Sequence, residues 1–136
     1  MDELYQSQIL SLARQVRQSE AIAHPTHLAR VKNPVCGDEI SLSIKMTGTV
    51  IDALHVAVEG CALCEAGAGL LYTQAQGADK ATIQSLSDAL SAFLRDAEQV
   101  SDDNVLAPFT PIKDVKMRHK CVTLAFTAFD KAYQAQ

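Results

Sequence analysis

Four cysteines, Cys36, Cys61, Cys64 and Cys121, are the residues of this chain whose type and company could do chemistry. Cys36 stands in Cys36-Gly37-Asp38, Cys61 and Cys64 stand in Gly60-Cys61-Ala62-Leu63-Cys64, and Cys121 closes Arg118-His119-Lys120-Cys121. Thiolates are soft ligands suited to zinc and to iron–sulfur clusters, and a carboxylate such as Asp38 can complete a tetrahedral set. Gly37 lets the backbone turn so that both of its neighbours face one metal. Arg118 and Lys120 place positive charge beside Cys121, which favours its thiolate. This is the company of reactive or metal-bound sulfur, not of inert core cysteine. The paired Cys-x-x-Cys arrangement of a zinc ribbon is absent, because Cys61 and Cys64 form a single such pair.

The composition limits where this chemistry takes place. With 136 residues, 48% hydrophobic and 21% charged, the chain reads as one globular domain, residues 1–136, with a real core. Aromatics are 5% and Trp is absent, so Leu, Val, Ile and Ala must fill that core. Twelve Lys and Arg against sixteen Asp and Glu leave a net charge of −4, which argues against a nucleic-acid binder. No run approaches the ~18 apolar residues of a membrane span. The start, Met1-Asp2-Glu3-Leu4-Tyr5, is acidic and amphipathic, unlike a secretory signal, so a cytoplasmic location is expected. In a reducing cytoplasm two disulfides are a weak reading, and metal binding or thiol chemistry is the better one.

The elements that must position the thiols follow from periodicity. Residues 3–19 predict a helix with Tyr5, Ile9, Leu12 and Val16 on one face. Residues 21–35 hold Pro25 and Pro34 and predict a loop with a short extended piece. Ile40, Leu42, Ile44 and Met46 alternate with Ser41, Ser43 and Lys45 as a half-buried strand, and Val50 to Val58 form a second one after a Thr47-Gly48 turn. An antiparallel hairpin brings the start of its first strand beside the end of its second, so Cys36, Asp38 and Cys61 converge at one end. Leu63, Ala66, Leu70 and Gln74 predict a helix ending at Gly77, with Gly67 and Gly69 allowing close packing on the sheet. A helix over roughly 79–98 buries Ile83, Leu86, Leu90 and Phe93. Residues 99–112, with Pro108 and Pro111, read as a connection with a short helix near Asn104–Ala107. A last helix starts near Cys121 with Val122, Phe126, Phe129 and Tyr133 inward. Cys61 and Cys121 thus each lie near a helix N-terminus, where the macrodipole favours a thiolate. The expected class is α+β: a small antiparallel sheet, a hairpin with room for a third strand, packed against several helices.

These motifs, in this order, resemble a known family. Asn33-Pro34-Val35-Cys36-Gly37-Asp38 is similar to the Pro-x-Cys-Gly-Asp motif of the IscU/NifU-type iron–sulfur cluster assembly proteins. Gly60-Cys61-Ala62 resembles that family's second cysteine, and Arg118-x-Lys120-Cys121-x-x-Leu124-Ala125-Phe126 its third in the SufU branch. Leu4-Tyr5 with Ile9-Leu10 resembles the N-terminal helix. The long separation of Cys61 from Cys121, and Lys120 where the IscU type has a ligating His, both resemble the SufU branch. The resemblance implies a zinc site of Cys36, Asp38, Cys61 and Cys121, with Cys36, Cys121 and Cys61 as the thiols of sulfur transfer, and it leaves the first acceptor open between Cys36 and Cys121. It further implies a cysteine desulfurase as sulfur donor, a transient Fe–S cluster in a scaffold role, and Fe–S recipient apoproteins as partners, with no nucleic acid and no membrane.

Cys64 departs from the family, which usually carries Ser or another small residue there. It could replace Asp38 as ligand, resolve a persulfide, close a disulfide with Cys61, or be a small buried residue without a role. The competing functional reading is a thiol–disulfide oxidoreductase built on Cys61 and Cys64, and a third is a structural zinc domain that only mediates contacts. His24, His27 and His55 read as ordinary surface or sheet residues. His119 reads as pointing away from the site, and the acids Asp96, Glu98, Asp102 and Asp103 as solvated.

Overall fold

The computed structural model describes residues 3–34, 36–96, 100–101 and 103–134. Val35 of the first cysteine motif, the expected end of the helix at 97–98, and the acids Glu98 and Asp102 lie outside the described residues. Helix α1 (Glu3–Arg17) buries Ile9 and Val16 of the expected face together with Ala13, while Tyr5 and Leu12 are half-buried. Three strands follow, β1 (His27–Asn33), β2 (Asp38–Thr47) and β3 (Val50–Glu59), antiparallel in the order β1-β2-β3. On β2 the buried face is Asp38, Ile40, Leu42 and Ile44. Met46 is only half-buried, because the register slips between Lys45 and Met46. Gly48 turns the hairpin at φ +62°.

β1 is a full strand where the sequence predicts a loop with a short extended piece. Its inner positions are His27, Ala29, Val31 and Asn33, while Leu28 faces out with 56% of its surface exposed. Two of the inner residues are barely apolar and an outer one is Leu, so hydropathy does not alternate although the backbone does. Pairing with β2 along Leu28↔Ser43 to Asn33↔Asp38 holds the strand. Tyr133 stacks on His27 with ring centres 4.5 Å apart, and Lys131 Nζ donates to the Arg30 carbonyl at 2.9 Å.

Helix α2 (Ala62–Ala75) is buried on almost every side, through Cys64, Ala66, Gly67, Ala68, Gly69, Leu70, Leu71 and Ala75. Its two glycines do not serve the sheet, as expected from sequence, but its neighbouring helices. A Cβ on Gly67 would stand 2.8 Å from the Val122 carbonyl carbon, and one on Gly69 would stand 2.6 Å from that of Leu12. Arg17 clamps the first turn of α2 through a two-pronged bond to Glu65 at 2.6 and 2.7 Å. Helix α3 (Lys80–Arg95) starts at Asp79, whose carboxylate accepts from the Thr82 N–H at 2.8 Å, and buries Ile83, Leu90, Phe93 and Leu94.

The expected short helix near Asn104–Ala107 is instead a 3₁₀ segment over Ala107–Asp114 that contains both prolines, followed by a second at Lys116–Arg118. Short, tight turns tolerate a missing N–H better than an α-helix interior does. Helix α4 (His119–Gln134) therefore begins two residues earlier than the sequence predicts, with Cys121 inside its first turn. It lies across β1 and β2 and against α2, burying Val122, Phe126 and Phe129 as expected. Among the described residues no helix is long and apolar enough to cross a membrane. The result is an α+β fold with one continuous core.

Candidate metal centre

Three junctions supply the site. Cys36 and Gly37 make the tight link from β1 to β2, where Gly37 adopts φ +76° and its N–H donates to the Asn33 carbonyl at 2.8 Å. Asp38 opens β2 opposite Asn33, and the pairing Glu39↔Glu59 sets Gly60 and Cys61 beside it at the end of β3. Cys121 arrives from the first turn of α4. The hairpin argument thus holds, with β1 adding a third wall.

The Cys36 and Cys121 sulfurs and a carboxylate oxygen of Asp38 all lie within 4.8 Å of one another. The two sulfurs are 3.4 Å apart. Two thiolates on one zinc, each at ~2.3 Å, stand roughly 3.8 Å apart, so the pair is already near that spacing. Asp38 is 3% exposed, an uncommon burial for a carboxylate. Its Oδ1 accepts the Cys61 N–H at 3.3 Å, while Oδ2 is buried with no hydrogen-bond partner. A buried acceptor left unsatisfied costs about 1–3 kcal/mol or more, which a bound cation would offset. The donor set of two sulfurs and a hard oxygen suits zinc.

Cys61 stands at the rim of this trio. It is the N-cap of α2, half-buried, with extended backbone (φ −77°, ψ 170°) and no side-chain capping bond. The Arg118 guanidinium lies 3.8 Å from its sulfur. Interaction first with Cys121, then with Cys61 and Cys36, raises the pKa of Arg118. Cys121 is fully buried, and Arg118 favours its thiolate as the sequence leads one to expect, but other neighbours act against it in the metal-free chain. Burial, then the Asp38 carboxylate, Cys36 and Cys61, push its pKa well up, and Arg118 only partly opposes them. A bound cation would favour the thiolate there.

Cys64 is set apart from the trio. It is 0% exposed within the apolar core, and burial first, then the charges of Asp38, Cys61, Glu65 and Cys36, push its pKa up to about 12. His119 points away, as expected: its Nε2–H donates to the carbonyls of Ile112 and Lys113 at 2.9 and 3.1 Å. Since both partners are acceptors, Nε2 carries the proton. His55 Nδ1 meets Ser19 Oγ at 3.2 Å and serves the sheet.

One contributor goes unread in the sequence. Gly60 lies flat against Asp38, and a Cβ there would stand 2.9 Å from the carboxylate carbon. The signal was a glycine directly before a cysteine at a strand's end, which the sequence presents without its reason.

Comparison with known proteins places these features in company. The profile of the NifU-like N terminal domain matches residues 4–132. The zinc-dependent sulfurtransferase SufU of Bacillus subtilis is 26% identical over 135 residues, covering 96% of this chain and 90% of that protein. The iron–sulfur cluster assembly scaffold protein IscU of Thermotoga maritima is 28% identical over 137 residues, covering 95% and 92%. In structure, the N-terminal NifU-like protein of Brucella abortus superposes with TM-score 0.83 at 24% identity over 98% of this chain and 94% of that one. A putative iron–sulfur scaffold for the SUF system from Fervidobacterium islandicum gives 0.80 at 23%, over 97% and 95%. Both structures share the fold. None of these comparisons supports a thioredoxin-like oxidoreductase, and the strand before Cys61 belongs to an antiparallel hairpin.

Proposed function

Because the chain belongs to the NifU-like N terminal domain family, a family of iron–sulfur cluster assembly scaffolds, we propose that it accepts sulfur from a cysteine desulfurase at this centre. Cys36, Asp38, Cys61 and Cys121 would hold zinc, and the bound metal would keep the thiols deprotonated and restrained until a partner engages them. The observation that carries this reading is the approach of two thiols and a buried carboxylate within 4.8 Å, with one carboxylate oxygen unpartnered.

The residues divide the work. Asp38 and Cys121 are buried and act as anchors. Cys36 and Cys61 are half-buried and can meet a partner's persulfide. The accepting thiolate attacks the outer sulfur of that persulfide. A new sulfur–sulfur bond forms here, and the desulfurase cysteine leaves as its thiolate. Arg118, exposed beside Cys61, stabilises negative charge on that sulfur as the partner docks. The same thiols can gather iron and sulfide into a transient cluster for recipient apoproteins, the role that the Thermotoga relative's name states for that protein. This chemistry fits a reducing cytoplasm.

The test measures metal content and ligand identity in the purified protein, then its intact mass after incubation with a cysteine desulfurase and cysteine. One zinc per chain and a gain of sulfur on Cys36 or Cys61 are expected. A brown, absorbing cluster after adding iron would extend the reading to scaffolding. The absence of both sulfur gain and cluster formation would sink it and leave a structural zinc domain.

A further inference from the structure

The site just described uses Cys36 and Cys121 as one sulfur pair, 3.4 Å apart, and leaves Cys64 unused. Cys61 is the N-cap of α2 and Cys64 is the third residue of that helix. Side chains at these two positions are neighbours, which is why they exchange hydrogen bonds in a capping box. Here both are thiols, and neither the Cys61 side chain nor Cys64 makes a capping bond. Residues three apart on a helix have Cβ atoms ~5–6 Å apart, and a disulfide needs ~3.5–4.5 Å, so closure asks for a small shift. The shift falls on Cys61, whose extended backbone lies outside the helical turn. Burial shuts Cys64 off from bulk reagents, so its partner must come from within the site, where Cys61 shares its turn.

We propose that Cys64 discharges sulfur carried by Cys61, releasing it as hydrosulfide. This inference rests on the sulfur-accepting reading above. As its proton passes to the outer sulfur, Cys64 attacks the inner sulfur of a Cys61 persulfide as the thiolate. A bond forms between the two Sγ atoms, and the bond from Cys61 Sγ to the outer sulfur breaks. The outer sulfur leaves with the bonding pair and takes the Cys64 proton. It is reduced by two electrons from the sulfane to the sulfide level, and the Cys61 and Cys64 sulfurs together supply those electrons and end as one disulfide. No outside electron donor enters this single turnover, and a dithiol reductant resets the pair. The step would supply sulfide in the oxidation state that a cluster requires, beside the thiols that would hold it.

Trypsin releases one peptide, Met46 to Lys80, that carries Cys61 and Cys64 and no other cysteine. The purified chain is treated with inorganic polysulfide, desalted, and followed for released sulfide and for the mass of that peptide. In the wild type we expect sulfide release matched by loss of two hydrogens and no uptake of an alkylating agent. In Cys64→Ser and Cys64→Ala, both checked for folding by their melting curves, the peptide keeps the extra sulfur and release slows by about tenfold or more. Equal release in the variants, or a wild-type peptide that keeps its persulfide, overturns the proposal. A parallel arm loads sulfur with a cysteine desulfurase. No loading there with disulfide closure in the polysulfide arm would refute the partner reading alone. Loading that never reaches Cys61 would refute the Cys64 step alone.

Discussion

At the scale of single residues, four chemically identical thiols end up in three environments. Cys121 is buried beside Asp38 and Cys36, Cys36 and Cys61 are half-buried, and Cys64 is enclosed by apolar side chains. The motifs around Cys36, Cys61 and Cys121 were legible because Gly, Asp and Arg neighbours mark them. Burial was not, since it depends on what α2 and α4 pack against. The difference has a measurable consequence in the metal-free chain. Cys64 loses its proton near 9.0 when unfolded but near 12 when folded. Between those values the folded state binds the extra proton, so its stability must fall as pH rises, by about 1.4 kcal/mol per pH unit for this thiol. Cys121, pushed in the same direction, adds to the fall. Denaturant titrations of the metal-free chain from pH 8 to about pH 11 should show this slope. Cys64→Ala should flatten it by the share of one thiol, whatever the cost of the lost side chain at pH 8.

At the scale of elements, helices α1, α3 and α4 and both hairpin strands could be read from periodicity, because their buried residues are largely apolar. Helix α2 could be placed as well, but it is buried on almost every side and Gln74 of its expected stripe is exposed. β1 could not, since Ala29 and Asn33 face in while Leu28 faces out. The 3₁₀ segments escaped because Pro108 and Pro111 read as breakers, and a short tight helix accepts them. The clearest case is α2. Helix propensity alone says that Gly67→Ala stabilises by up to ~1 kcal/mol. The Val122 carbonyl occupies the space a methyl would need, so we expect a net loss of about 1–3 kcal/mol instead. Thermal unfolding of Gly67→Ala settles the sign. A loss would confirm that the glycine sets the approach of α4, and with it the reach of Cys121.

At the scale of the whole molecule, the candidate ligands come from the β1–β2 link, the start of β2, the β3–α2 junction and the first turn of α4. A metal bound there ties the sheet to both central helices and is linked to folding. Free zinc at a hundred times its dissociation constant would add about 2.7 kcal/mol. A chelator should therefore lower the melting temperature by about 5 °C or more in calorimetry. Asp38→Ala should melt at the same temperature with and without chelator. By itself the sequence determined the family motifs, the α+β class and the convergence of Cys36, Asp38 and Cys61, because hairpin pairing and cysteine context are local properties of the chain. Only the tertiary structure decided which thiols are open, that Asp38 is buried with a free oxygen, that Gly60 makes room for it, and that Cys64 is enclosed in the core. Those depend on the approach of α1, α2 and α4, and close packing between distant segments leaves no periodic trace in any one of them.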